Sequence, residues 1–485
     1  MSNVRVNLGL VVGRDATINR LPEISISGGD GVRLTQNNDT FHMEADTTGI
    51  QSKLNGQPGQ YISFDANGSM IPVDKPFELY GFEFDNLESN PESKIRYFGD
   101  NANYTPARMG SSSFDYGDWG NAFFIKNLRP CMVKYDGTVA YDLDKNDYSK
   151  KADGTASDID NESFAGNAMV GIPTVWIKID NTNANLVRVY VASKQLDDTY
   201  HAYAHHDNSG NIMPYTYLPI YNGWVDSSGR LRSLSGKAPT VEEEIEVLIN
   251  KCRDNSSSAG EIWDTDRYVD RNLINLLLML ISKSTNTKAA FGNGNTTGNT
   301  NPASGSGTYG IMPTGTLDSS GLFWGSTTET NLSVKVFGME NWWGNIFRVM
   351  VGAVLRSKKF YYKLTKGTED GSSVYGFNTD DMSGTAVPGW IDSGVTLQDE
   401  GFLNSVAISD KAAIIPVSAS LNTSSTTYMC DFLWFNDSTS KTVALVGGTM
   451  ASDICAGAFA INMMVEISGS GWFIGASCSC KPNVS

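Results

Sequence analysis

One segment dictates what the rest of the chain has to build. Over residues 266–284 the sequence carries Leu273, Ile274, Leu276, Leu277, Leu278, Leu280 and Ile281, which makes a helix apolar on nearly every side. Such a helix cannot lie on a surface; it needs walls all round and belongs at the centre of a large core. Its longest apolar run, residues 273–281, contains Asn275 and is about half a bilayer span, so membrane insertion is not expected. A chain of 485 residues, 40% apolar and 19% charged, has the material for those walls, and its length allows about three domains. A second helix is expected over residues 240–252. There Thr240-Val-Glu-Glu243 has the form of a capping box, and Val241, Ile245, Leu248 and Ile249 share one face.

The remaining walls read as strands. With 48 Gly and abundant Asn, Ser and Thr, the composition suits a loop-rich β or α+β protein rather than a helical bundle. Residues 1–75 alternate with period two in short runs at 4–8, 23–27, 31–35 and 41–45, divided by Gly28-Gly-Asp-Gly and Gln36-Asn-Asn-Asp. Strands so short and polar bury little alone, so this segment is expected to pack on copies of itself or on an assembly partner. From about residue 76 aromatics thicken. Residues 170–179 and 186–191 look like a strand pair joined through Asp180-Asn-Thr-Asn. Residues 285–331 hold few large apolar groups and are expected to drape over the core as a long loop. Strands resume at 332–337, 347–355, 412–417 and 442–446, with a last block at 458–480. No solenoid or propeller period is visible.

Charge and reactive residues exclude several functions. A net charge of −16 repels phosphate backbones and anionic lipid, so neither nucleic acid nor a membrane surface is an expected partner. No secretory leader is expected at the start, where the apolar patch at 8–12 is short and lacks a small-residue cleavage pattern. The six Cys form no C-x-x-C pair, so neither a zinc site nor a disulfide framework is indicated. Cys478 and Cys480 are expected as buried small apolar residues. His201, His205 and His206 cluster in a polar turn with no helix to converge them, so a metal site there is not expected. The acidic stretch 142–160 has Asp147 where a calcium loop needs Gly, and Asp153 where it needs Glu. It reads as a solvated loop, with Ca²⁺ the one ion it could take and no other cofactor expected.

The densest motif is Val336-Phe-Gly-Met-Glu-Asn-Trp-Trp-Gly-Asn-Ile-Phe-Arg-Val-Met-Val-Gly352. Adjacent Trp342 and Trp343 cannot both face one side of a strand, so one should fill the core and the other seal the underside of a loop. Gly344-Asn345 is a turn signal before a buried strand. At the C-terminus, residues 468–474 alternate, with Trp472 and Ile474 on one side and Gly469, Gly471 and Phe473 on the other. That pattern fits an ordinary buried strand as well as a surface displaying Met464, Val465 and Phe473.

Here a resemblance bears on the choice. Gly344-Asn-Ile-Phe-Arg-Val resembles the Gly-Asn-Val-Trp-Glu-Trp signature of the formylglycine-generating-enzyme version of the C-type lectin fold. Phe337-Gly-Met-Glu-Asn-Trp-Trp resembles its form in phage tail proteins. Residues 446–462 and 468–477 are similar to the variable region of retroelement-diversified proteins of the major-tropism-determinant type. The likeness spans roughly residues 75–485. The usual Gly-Phe-Arg ending is Gly475-Ala-Ser here, which leaves the subfamily open.

The resemblance implies an α+β, C-type-lectin-like domain over 76–485, with a variable region at about 446–480 and the β segment 1–75 serving assembly or tail attachment. It implies a non-enzymatic phage tail-tip or tail-fibre protein, made in the host cytoplasm, carried in the virion and binding a host surface receptor of protein or glycan. Other tail proteins would be partners, and a homotrimer is implied. By matching positions the variable residues are Thr449, Ala451, Ser452, Cys455, Met464, Val465, Gly469, Gly471 and Phe473. The scaffold is Trp342, Trp343, Gly344, Asn345, Gly447, Gly448, Ala456, Gly457, Phe459, Asn462, Trp472 and Gly475. A structural baseplate protein and a formylglycine-generating-type oxidase are the rival readings.

Overall fold

The computed structural model describes residues 77–256, 262–298, 310–364 and 379–484, and, nearer the start, the backbones of five short strands. The chain divides into two compact units, Met1–Phe77 and Glu78–Ser485. In the first, Thr40–Glu44 pairs antiparallel with Arg33–Asn37 and Arg5–Val6, and Tyr61–Phe64 pairs with Met70–Val73. The register runs to Asn37↔Thr40, within the turn cluster seen in the sequence. The strand expected at 23–27 lies outside the described residues.

The second unit is built on strands, not on an even mixture of strand and helix. Strand accounts for 34% of the structure and helix for 11%. The expectation of an α+β, C-type-lectin-like fold is therefore corrected: a large mixed sheet dominates. The error has a physical source. Two strongly patterned helices weigh heavily in a sequence, whereas the many two- to eight-residue strands that outnumber them carry faint signals one by one.

The fifteen-stranded sheet includes, in spatial order, Val139–Asp142, Arg129–Lys134, Gly166–Pro173, Tyr215–Pro219, Cys478–Cys480, Trp263–Arg267, Phe347–Arg356, Thr442–Val446, Ile461–Val465, Phe432–Phe435, Gly401–Ile408 and Ile414–Ser420. A four-stranded antiparallel sheet holds Trp176–Asp180, Leu186–Ala192, Leu79–Asp85 and Ile95–Gly99. The run expected as one strand at 170–179 is thus broken after Pro173, its halves joining different sheets.

Phe347–Arg356 is the ten-residue strand between two cores. Phe347, Val349 and Val351 face one core, while Met350 faces the other. Gly352 (φ +93°) then lies in an irregularity that sets three extra residues against the partner Thr442–Val446. An odd insertion reverses the alternation, so Ala353 and Leu355 join Met350's core and Val354 returns to Phe347's. One strand can in this way wall two interiors along its whole length.

The all-apolar helix lies where its pattern requires. It spans Tyr268–Ser282 and every residue in it is buried. Two of its polar members find partners outside: Lys481 pairs with Asp270 at 2.7 Å, and Asn275 bonds Trp342 and Ala458. Lys283 (φ +53°) ends it in a left-handed cap.

The second helix, Ile245–Arg253, covers the opposite core and begins five residues later than the capping box suggests. Thr240 spends its hydroxyl on the Val225 amide (2.8 Å), Glu243 pairs with Lys251, and Glu242 (φ +68°) is left-handed, which no helix tolerates. Cys252 of this helix is joined to Cys478 by a disulfide with Cα atoms 5.7 Å apart, a bridge the spacing of the cysteines did not reveal. Cys480 stays free and buried. Among its described residues, the expected loop at 285–331 contains one short helix, Thr287–Phe291.

Candidate functional site

The site is best built outward from Trp342-Trp343-Gly344-Asn345. Both indoles are buried and they point to different tasks. Trp342 lies between two guanidinium groups, Arg271 at 4.2 Å and Arg348 at 4.8 Å from its ring, and donates to Asn275 Oδ1 at 3.0 Å. Trp343 donates to the Gly292 and Asn293 carbonyls, both at 3.2 Å, so it closes the loop above it. Gly344 and Asn345 follow at φ +76° and +66°, the left-handed pair a Gly-Asn turn permits.

Asn345 is a hub. Its amide donates to Asn295 O and its carbonyl accepts from Met450. Its side chain bonds Asn222, Asn295 and both main-chain groups of Met312. A single buried Asn thereby ties the 285–331 loop, Asn222 and the segment at Met450 together. The sequence marked Asn345 as a turn residue; nothing in spacing alone identifies Asn222 and Asn295 as its partners.

From Gly447 the chain enters a first loop. Gly448 (φ +81°) has no room for a side chain, since a Cβ there would stand 2.6 Å from that of Ala456. The loop's course is fixed largely by main-chain groups. Gly344 N bonds Gly447 O (3.1 Å), Gly447 N bonds Ala460 O (3.0 Å), Met450 N bonds Asn345 O (3.1 Å) and Asp453 N bonds Thr296 O (2.8 Å). Lys288 Nζ reaches the Ile454 carbonyl at 2.7 Å and that of Ala456, and pairs with Asp431 at 3.2 Å. Burial raises the Asp431 carboxyl above its usual range, against the pull of Lys288. On this loop Ala451 and Ile454 (52%) are exposed, and Ser452 and Cys455 are half-buried. Thr449 is 3% exposed, its hydroxyl turned to Ser452, so it does not join the displayed set.

The second group lies elsewhere. Strand Ile461–Val465 pairs Ile461 with Val446 at one end and Val465 with Val443 at the other. Met464 and Val465 therefore stand at the far end of this strand from the first loop. Met463 is buried, and Met464 (42%) is exposed, as their alternation requires. Residues 466–473 form a turn-rich loop, not the strand expected over 468–474. Gly469, Gly471, Trp472 and Phe473 are all half-buried on it, so Trp472, expected as scaffold, is no more inward than Phe473. Phe473 packs edge-on to Trp472 (5.2 Å) and Phe347 (6.1 Å), and Phe347 in turn to Trp434 (5.7 Å). With Val465 these rings make an apolar patch that includes half-buried Trp434, which the sequence reading passed over.

This second loop is also held through its backbone. The first two amides of helix Ile245–Arg253, which have no partner inside their own helix, donate to Gly469 O (Ile245, 2.9 Å) and Ile467 O (Glu246, 3.0 Å). Glu242 N bonds Gly471 O at 3.0 Å and Phe347 N bonds Phe473 O at 2.9 Å. Gly475 then lies so close to Ile346 and Thr240 that a Cβ would come within 2.6 and 2.7 Å of them. The loop's exposed side chains, Glu466, Ser468 and Ser470, take no part in these bonds.

Several of the His, Cys and Asp side chains singled out in the sequence are buried or hydrogen-bonded within the fold. His205 is fully buried, and its pKa is pushed down to about 3 by burial and by the charge of Lys481, so the ring is neutral. Burial pushes the Cys131, Cys430 and Cys480 thiols up, away from thiolate reactivity. In the acidic stretch, Asp144, Asp147 and Asp153 each accept from an amide two residues on. Among the described residues no group of three or more His, Cys, Asp or Glu is placed to hold a metal ion, and no helix is long and apolar enough to cross a membrane. No family model matches the chain, and no curated protein matches it either.

Proposed function

We propose that this chain is a phage tail receptor-binding protein whose C-terminal loops carry exchangeable contact residues for a host surface receptor. The observation that carries the reading is the division of labour in residues 447–475. Main-chain bonds to Asn345, Thr296, Phe347 and the start of helix Ile245–Arg253 fix the course of both loops, while the side chains of Ala451, Ile454, Met464, Ser468 and Ser470 point to solvent. A surface organised like this accepts new side chains without new folding instructions, which is what diversification by a retroelement demands. The patch of Trp434, Val465, Trp472 and Phe473 supplies adaptable apolar area beside it.

In this reading the N-terminal strands serve attachment to other tail proteins, and a homotrimer multiplies weak single-site contacts through high effective concentration. Adsorption is the test. Virions carrying Met464→Asp, or Ala451→Arg with Ile454→Arg, should lose or redirect attachment to their host while assembling in normal number. Unchanged adsorption with both variants would leave a structural tail component as the better description.

A further inference from the structure

We propose that the core of the second unit binds one chloride-sized monovalent anion, in a cavity of about 40 Å³ between helix Tyr268–Ser282 and the sheet. Arg271 and Asn272, neighbours on that helix, both line it. Arg271 is 3% exposed. Its Nη2 donates to Ala458 O at 3.2 Å and its plane covers Trp342, but Nε and Nη1 have no acceptor among the described residues. Asn272 is 4% exposed. Its Oδ1 accepts from Ile414 N at 3.2 Å, and its side chain also bonds Tyr268. Two buried donor atoms of one guanidinium group that borders this space thus lack an acceptor, and a buried donor without an acceptor is costly.

Charge selects what fills it. Asp266 and Asp431 act on Arg271 through space but neither bonds it: Asp266 Oδ1 pairs with Arg348 at 2.5 Å and Asp431 with Lys288 at 3.2 Å. Arg348 lies on the same indole as Arg271, so the two cations add to each other's field. Water would supply an acceptor but no charge; an anion supplies both. Its small volume favours a halide over a bulkier organic acid, and Met350, Val446, Phe459 and Ile461 line it with apolar surface that would repel a cation.

The test uses the full chain, purified in sodium gluconate and titrated with sodium chloride or bromide at constant ionic strength. A ligand that binds only the folded state raises the melting temperature along a saturating curve. The expected result is a saturable rise of several degrees in either halide, none in gluconate, and none in Arg271→Met. Equal melting in all three salts, or the same rise in Arg271→Met, would overturn the proposal. Should that variant fail to fold, crystals of the unaltered chain grown in bromide decide: an anomalous peak within hydrogen-bond distance of Arg271 Nε supports the site, and a water there without anomalous signal refutes it.

Discussion

Two aromatic doublets flank the candidate surface, Trp342-Trp343 and Trp472-Phe473, and each sits beside glycine. In the first, both rings are buried and both indole nitrogens donate, one to Asn275 and one to the Gly292 and Asn293 carbonyls. In the second, both rings are half-buried on a turn and packed edge-on to each other, with Phe473 also edge-on to Phe347. The contrast shows what separates framework from display in this protein. A framework aromatic is surrounded on every side and has a partner for its polar atom. A display aromatic leans on the framework with one edge, while its backbone is held independently of it.

The sharpest way to break the comparison is to remove one ring from each doublet. Trp342→Ala empties the space between Arg271 and Arg348 and should cost about 3–5 kcal/mol in denaturant unfolding. Phe473→Ala should cost only about 1 kcal/mol, because that ring is incompletely buried. Equal losses would erase the distinction. Gly448→Val probes the corner itself: a Cβ at φ +81°, pressed against Ala456, should cost roughly 1–3 kcal/mol, read as a fall in the unfolding midpoint.

Acid sharpens the comparison from another direction. His205 has a folded pKa of about 3, below its usual 6.5. An unfolded chain therefore takes up a proton that the folded one refuses as pH falls through that interval. The stability His205 contributes is complete above 6.5 and is lost toward pH 3, at up to about 1.4 kcal/mol per pH unit. The gap in unfolding free energy between His205→Gln and the unaltered chain should change with that slope, whereas Met464→Ala should track the unaltered chain at every pH. The smallest effect expected is on the display side: Met464→Ala should lie within about 0.5 kcal/mol of the starting protein in the same unfolding assay.

The framework was more legible in the sequence than the display region. An apolar pattern on all sides of a helix has one physical solution, so the burial of residues 268–282 could be read directly. A Gly-Asn pair after two Trp similarly announces a tight corner. What escaped was whatever depends on partners distant in sequence. The alternation over 468–474 suggested a strand, but the amides left open at the start of helix Ile245–Arg253 bind the Ile467 and Gly469 carbonyls and hold the stretch as a loop. The capping box at Thr240 failed because its hydroxyl is claimed by Val225. The bridge between Cys252 and Cys478 joins residues 226 apart. Thr449 was assigned to the surface by position in a motif, and its burial follows from the Gly447–Gly448 turn that draws it inward.

The account rests on loops whose path is set by main-chain bonds rather than by their own side chains. The most direct measurement is the thermal unfolding of one variant in which Ala451, Ile454, Met464, Ser468 and Ser470 are all replaced by unlike residues. The account predicts a single cooperative transition within a few degrees of the unaltered chain. A fall as large as that of Trp342→Ala would contradict it.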